Sequence, residues 1–235
     1  MNSNNYLIVQ ISFFVLTVIS VGWMVKEIYS GIADAPFEEG RKKTLRNKII
    51  VGLLVWMIVV SALSLSGFIK DFSVFPPRIM IVLVVPLVTI LFLTFSGSIK
   101  EILKHIPPRN LIRLQFFRAF VEILLWMLFI ENLLPVQMTF EGRNFDIIAG
   151  LTAPVIAYLF NGNKNVMIVW NIIGLGLLLN IVTIAILSLP TPFRIFMNEP
   201  ANTIVAYFPI VFLPAFLVPL AYTLHFFSLR QLLSK

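Results

Sequence analysis

Gln115, Arg118 and Glu122 break an otherwise apolar stretch at spacing i, i+3 and i+7. On a helix that spacing sets all three on one face. Glu122 is the acid placed deepest among apolar residues, and an ionisable side chain inside a membrane marks a functional site by default. Its chemistry would be that of a proton carrier or a partner for a cation. The structural alternative is an intrahelical pair, because Arg118 and Glu122 lie one turn apart and together would lock their helix against its neighbours.

Other polar residues extend the candidate set. His105 and His225 both fall toward the same membrane face, and a contact of His225 with Arg118, Glu122 or a lipid headgroup is expected. Two histidines without further ligand spacing do not make a haem or metal site, so no metal and no cofactor is expected. Asn171 and Asn180 share one helix but lie nine residues apart, off a common face. Interhelical hydrogen bonding is their expected use. Arg78, Glu141, Arg143, Asp146, Arg194 and Glu199 sit in loops on the opposite side. They suggest either an outer vestibule or a salt-bridged cap over the bundle.

Several chemistries are excluded by type and spacing. Zero cysteines rule out disulfides, thiolate nucleophiles and Cys-ligated metals. The last helix has no Schiff-base lysine for a retinal. Two histidines cannot fill a zinc hydrolase site. No Gly-rich phosphate loop and no G-x-S-x-G elbow occurs, and no catalytic residues are assigned.

The elements that must position these residues are membrane helices. Hydrophobic residues form 59% of the chain and charged residues 12%, about half the charged share of a soluble domain. Apolar stretches long enough to cross a bilayer predict an all-α, polytopic seven-transmembrane-helix bundle. Its helices run over about 6–25, 49–69, 79–98, 109–134, 145–160, 166–189 and 203–229, in a single transmembrane domain of residues 1–235. The first segment lacks a basic n-region and a small-residue cleavage site, and reads as a retained helix.

With those helices, Lys26, Arg41, Lys42, Lys43, Arg46, Lys48, Lys100, Lys104, Arg109, Arg113, Arg118, Lys164, Arg230 and Lys235 fall on one side. Only Lys70, Arg78, Arg143 and Arg194 fall on the other. Positive loops stay in the cytoplasm, so the amino terminus is expected outside and the carboxyl terminus inside. The net charge of +7 then belongs to loops facing anionic lipid headgroups on the cytoplasmic side, not to nucleic-acid binding. A multi-pass protein of the cytoplasmic (plasma) membrane is expected, with a homo-oligomer left open.

Two weak echoes suggest duplication. Phe75-Pro76 precedes Val85-Pro86-Leu87 as Phe208-Pro209 precedes Val218-Pro219-Leu220, and Val55-Trp56 is matched by Val169-Trp170. They imply a parallel three-plus-one-plus-three repeat. The layout resembles that of small sugar exporters and vitamin transporters in architecture alone, since their Pro-Gln loop motif is absent. The leading expectation is a small transporter or permease for a small solute. The alternatives are a ligand-sensing or accessory membrane protein and, third, a lipid-modifying enzyme. A small-molecule or lipid ligand is the expected partner, beside the bilayer itself.

Overall fold

The computed structural model describes residues 3–234; Met1, Asn2 and Lys235, the last counted among the basic-side charges above, lie outside them. The described residues are helical, with no strand among them. The helices are α1 (Ser3–Asp34), α2 (Glu39–Leu65), α3 (Met80–Phe95), α4 (Gly97–Lys104), α5 (Pro108–Leu114), α6 (Phe117–Ile130), α7 (Asp146–Leu159), α8 (Lys164–Leu187) and α9 (Val218–Leu233). A π-helical turn, Leu213–Leu217, leads directly into α9.

Among the described residues, four helices are long and apolar enough to cross a membrane: Asn5–Asp34, Glu39–Leu65, Lys164–Leu187 and Leu213–Leu233. A fifth crossing is available if α3 and α4, bent by 72° at their junction, are taken together. The architecture is that of a helical membrane protein. Its outward apolar side chains include Ile58, Phe92, Phe95, Ile172 and Leu159, a surface suited to hydrocarbon rather than water. The π turn and α9 form the central rod. They are far more buried than α2, and α1, α3, α4, α5 and α8 pack against them.

The boundaries differ from the sequence expectation where charges or prolines meet tertiary packing. The first helix continues past Lys26 and Glu27 to Asp34, because Ile28 and Ile32 keep an apolar stripe that is buried. Glu27 is answered there by Asn110 (2.7 Å) and Arg113 (3.8 Å). The second helix starts at Glu39, ten residues early, with Lys42 donating to the carbonyl of Ala33 at the end of α1 (2.9 Å). Such a bond satisfies a terminal carbonyl that the helix cannot.

The expected helix over 109–134 is divided into α5 and α6. Around Gln115 and Phe116 the backbone bonds run i to i−3, as from Arg118 N–H to Gln115 O (3.1 Å), which tightens the turn and ends regular α-helix. The expected helix over 203–229 is regular only from Val218, because Pro209 and Pro214 remove backbone donors upstream. α7, with 14 residues, is apolar but short.

Candidate functional site

Four helices contribute to one buried polar network. Arg118 of α6 is 2% exposed. Its Nε donates to Asp146 Oδ2 (2.7 Å) and its Nη2 to Asp146 Oδ1, a two-pronged ion pair. Its Nη1 lies 2.8 Å from His225 Nε2, and Nη2 also reaches the carbonyl of Gly174 (3.3 Å). A guanidinium only donates, so His225 Nε2 accepts and its proton sits on Nδ1. Nδ1 then donates to Asn171 Oδ1 (2.9 Å). Asn171 passes the order on through Nδ2 to Ser228 Oγ (3.0 Å) and to the carbonyl of Met167 (2.7 Å). Donor arithmetic alone therefore fixes the histidine tautomer in a chain from α7 through α6 and α9 to α8.

Two glycines let the helices close to these distances. A Cβ built on Gly150 would lie 2.4 Å from the backbone nitrogen of Ala119, so α7 rests directly on α6 beside Arg118. Asp146 is one turn earlier on α7 and is thereby carried to the guanidinium. A Cβ on Gly174 would lie 2.4 Å from His225 Cε1, so the imidazole occupies the space that a side chain on α8 would fill. Trp170 packs beside the ring, centroid to centroid 5.5 Å and tilted by 45°.

Glu122 occupies a neighbouring position with different partners. Its Oε2 accepts from Asn144 Nδ2 (2.6 Å). Asn144 also donates to Met138 O (3.0 Å), while its Oδ1 accepts from the N–H of Asp146, the first residue of α7 (3.0 Å). Glu122 makes no ion pair within 4.0 Å among the described residues. It lines a cavity of about 90 Å³ between α3, α6, α8 and the π turn, walled mainly by apolar residues such as Leu83, Val121, Leu178 and Leu213. Asp146 and Asn202 also border it. Asn202 Oδ1 is buried without a partner, its amide being used on Ala185 O (3.0 Å). The polar groups of these three residues that remain available are acceptors.

The structure redistributes the sequence candidates. The intrahelical Arg118–Glu122 pair is replaced by Arg118–Asp146. A carboxylate in the first turn of α7 is favoured by that helix's dipole, and presenting both oxygens matches the guanidinium fork. Asp146 accordingly leaves the outer group and joins the core. Gln115 is buried at the α5–α6 break, donates to Ala221 O (3.1 Å) and has an unpartnered Oε1. Asn180 is exposed and bonds the carbonyl of Arg143 (2.9 Å), away from Asn171.

The remaining outer residues form separate local contacts. Arg194 pairs with Glu199 (3.0 Å), Arg78 with Asp71 (3.3 Å), Glu141 accepts from Trp126 (2.6 Å), and Arg143 stacks over Phe196. Asn144, which the sequence groups with the polar outer loop, joins the network, and Gly150, Gly174 and Ser228 are members that sequence reasoning did not single out. Their signal was present: Asn171 with Gly174, and His225 with Ser228, are i, i+3 pairs of polar or small residues on apolar helices.

A family model described as a domain of unknown function, DUF8737, matches residues 76–233. The chain belongs to this family. The matched segment carries α3 to α9 and with them every member of the network, while α1 and α2 lie outside it. No curated protein and no solved structure matches the chain.

Proposed function

We propose that the protein is a small permease of the plasma membrane that moves protons or a small cation, with Glu122 as the group that takes up the charge. The observation that carries this reading is the charge balance of the buried site. Arg118 is committed to Asp146, and His225 is a neutral acceptor toward Arg118. An ionised Glu122 is then the one uncompensated charge of the core among the described residues. A buried carboxylate of that kind is balanced either by a proton or by a cation from the adjoining cavity.

Size and polarity narrow the occupant. About 90 Å³ suits a few water molecules or a small cation and falls well below the roughly 300 Å³ of sites for drug-sized molecules. The free polar groups on its wall accept, which favours a donor or a positive charge. The π turn on the same wall supports the reading, since such turns recur at functional sites. Seven crossings with the amino terminus outside, and a parallel three-plus-one-plus-three repeat, belong to this proposal. In it, α5–α6 and α7 complete the crossings beside the longer helices.

The test is flux in proteoliposomes. Purified protein with an imposed pH or cation gradient should dissipate it, and Glu122→Gln should abolish that flux while keeping the thermal stability within about 1 kcal/mol. Wild-type protein that leaves every gradient intact, or a Glu122→Gln variant with full flux, refutes the permease reading. A protein without flux that binds a ligand through Glu122 would instead be a sensor.

A further inference from the structure

A second pocket lies at the other end of α9, remote in sequence from Glu122. α4 leaves α3 at 72°, buries Ile102 and Leu103, and leaves Lys100 and Lys104 exposed. The end of α9 fastens it there. Arg230 Nη1 donates to the carbonyls of Thr94 and Ser96 (2.9 Å to the latter) at the end of α3. Gln231 Nε2 donates to the carbonyls of Leu103 and Ile106 at the end of α4. Arg41 of α2 adds a bond to Ser98 Oγ (2.9 Å).

Between these elements is a pocket of about 50 Å³ lined by Lys100, Leu103, Lys104, Arg230, Gln231 and Ser234. Three cationic side chains, Lys100, Lys104 and Arg230, border it. Lys104 is shared with Glu101 (2.6 Å), which does not line the pocket, whereas Lys100 has no ion pair among the described residues. Gln231 Oε1 is buried with no hydrogen-bond partner. Its orientation is set by the two carbonyls that hold Nε2, so the free oxygen asks for a donor. Phe92 and Phe95 of α3, next to the Arg230-bonded carbonyls, are 75% and 76% exposed.

We propose that the basic rim of this pocket holds the phosphodiester of an anionic membrane phospholipid whose free hydroxyl alone enters the pocket. The phosphodiester meets Lys100, Lys104 and Arg230, the hydroxyl donates to Gln231 Oε1, and the acyl chains run along Phe92 and Phe95. Basic pockets at helix ends bind headgroups in this way. The bend between α3 and α4, held by Arg230, is what brings the lysines to α9. The proposal does not depend on flux through the Glu122 cavity.

Native mass spectrometry of the purified full chain tests it. Short-chain phosphatidylglycerol should be retained in preference to phosphatidylcholine. Lys100→Ala with Lys104→Ala, both exposed and outside the core, should weaken retention about fivefold per lysine and so about twenty-five-fold together. The control pair Lys43→Ala with Lys48→Ala, exposed on α2, should change it less than about threefold. Phosphatidylmethanol, anionic but without the hydroxyl, should bind several-fold more weakly than phosphatidylglycerol. Equal retention of phosphatidylcholine, or equal losses in the control pair, overturns the site. Equal binding of phosphatidylmethanol overturns the role of Gln231. Glycerol phosphate binding as tightly as the lipid would make this a site for a soluble anion and overturns the lipid assignment.

Discussion

Replacing Gly174 by alanine puts a methyl group where the His225 ring now sits. The new Cβ would lie 2.4 Å from His225 Cε1, and ordinary contact begins at 3.4 Å, so the ring must retreat by about 1 Å. Retreat stretches the 2.8 Å contact with Arg118 beyond hydrogen-bonding range, because Arg118 is itself held by Asp146. Overpacking costs about 1–3 kcal/mol. A lost bond to a buried charged donor costs about 1.5–3 kcal/mol. The better helix propensity of alanine offsets about 1 kcal/mol. The net expectation is a loss of roughly 1.5–5 kcal/mol.

Gly176, two residues along the same helix, has nothing within 4 Å of its would-be Cβ. Gly176→Ala should be neutral or stabilising by up to about 1 kcal/mol. Unfolding in detergent, followed by tryptophan fluorescence, compares the two variants, with Trp170 beside His225 as a local reporter. Gly174→Ala unfolding together with Gly176→Ala would refute the close approach and the histidine position derived from it.

Asp146→Ala should cost about 3–5 kcal/mol in the same assay, because it leaves Arg118 buried without its counter-charge, whereas Arg118→Leu combined with Asp146→Leu should cost less than the sum of the single changes. Asn144→Ala removes both the donor to Glu122 and the acceptor at the start of α7, and should lower stability by about 1–2 kcal/mol. The chain has no native cysteine, so single cysteines report orientation directly. An impermeant thiol reagent added outside intact cells should label Glu199→Cys and spare Lys43→Cys, and the reverse pattern would invert the proposed topology. Arg230→Leu should speed backbone hydrogen exchange in α4, since it frees the carbonyls of Thr94 and Ser96 that fix the bend.

The helical character and the polar face of α6 were legible in the sequence because long apolar runs and an i, i+3, i+7 spacing are local signals. The partner of Arg118 was not. Glu122 is close in sequence, but Asp146 is brought to the guanidinium by Gly150 resting on Ala119, a contact that no spacing along one helix reveals. His225 was expected against Arg118, Glu122 or a lipid headgroup. Its tautomer required Asn171 and Ser228 to be placed around it. The division of the expected fourth helix at Gln115 carries no proline or glycine, so no breaker announced it. The extension of α1 beyond Lys26 was hidden by charges that Asn110 and Arg113 answer from α5.

That Glu122 is the core carboxyl whose charge is exchanged is tested most directly by infrared difference spectroscopy of the reconstituted protein during a pH or cation jump. A protonated-carboxyl signal should appear and disappear in the wild type and vanish in Glu122→Gln. A signal that survives Glu122→Gln, or a wild type with no such signal at any pH or cation concentration, would contradict the assignment.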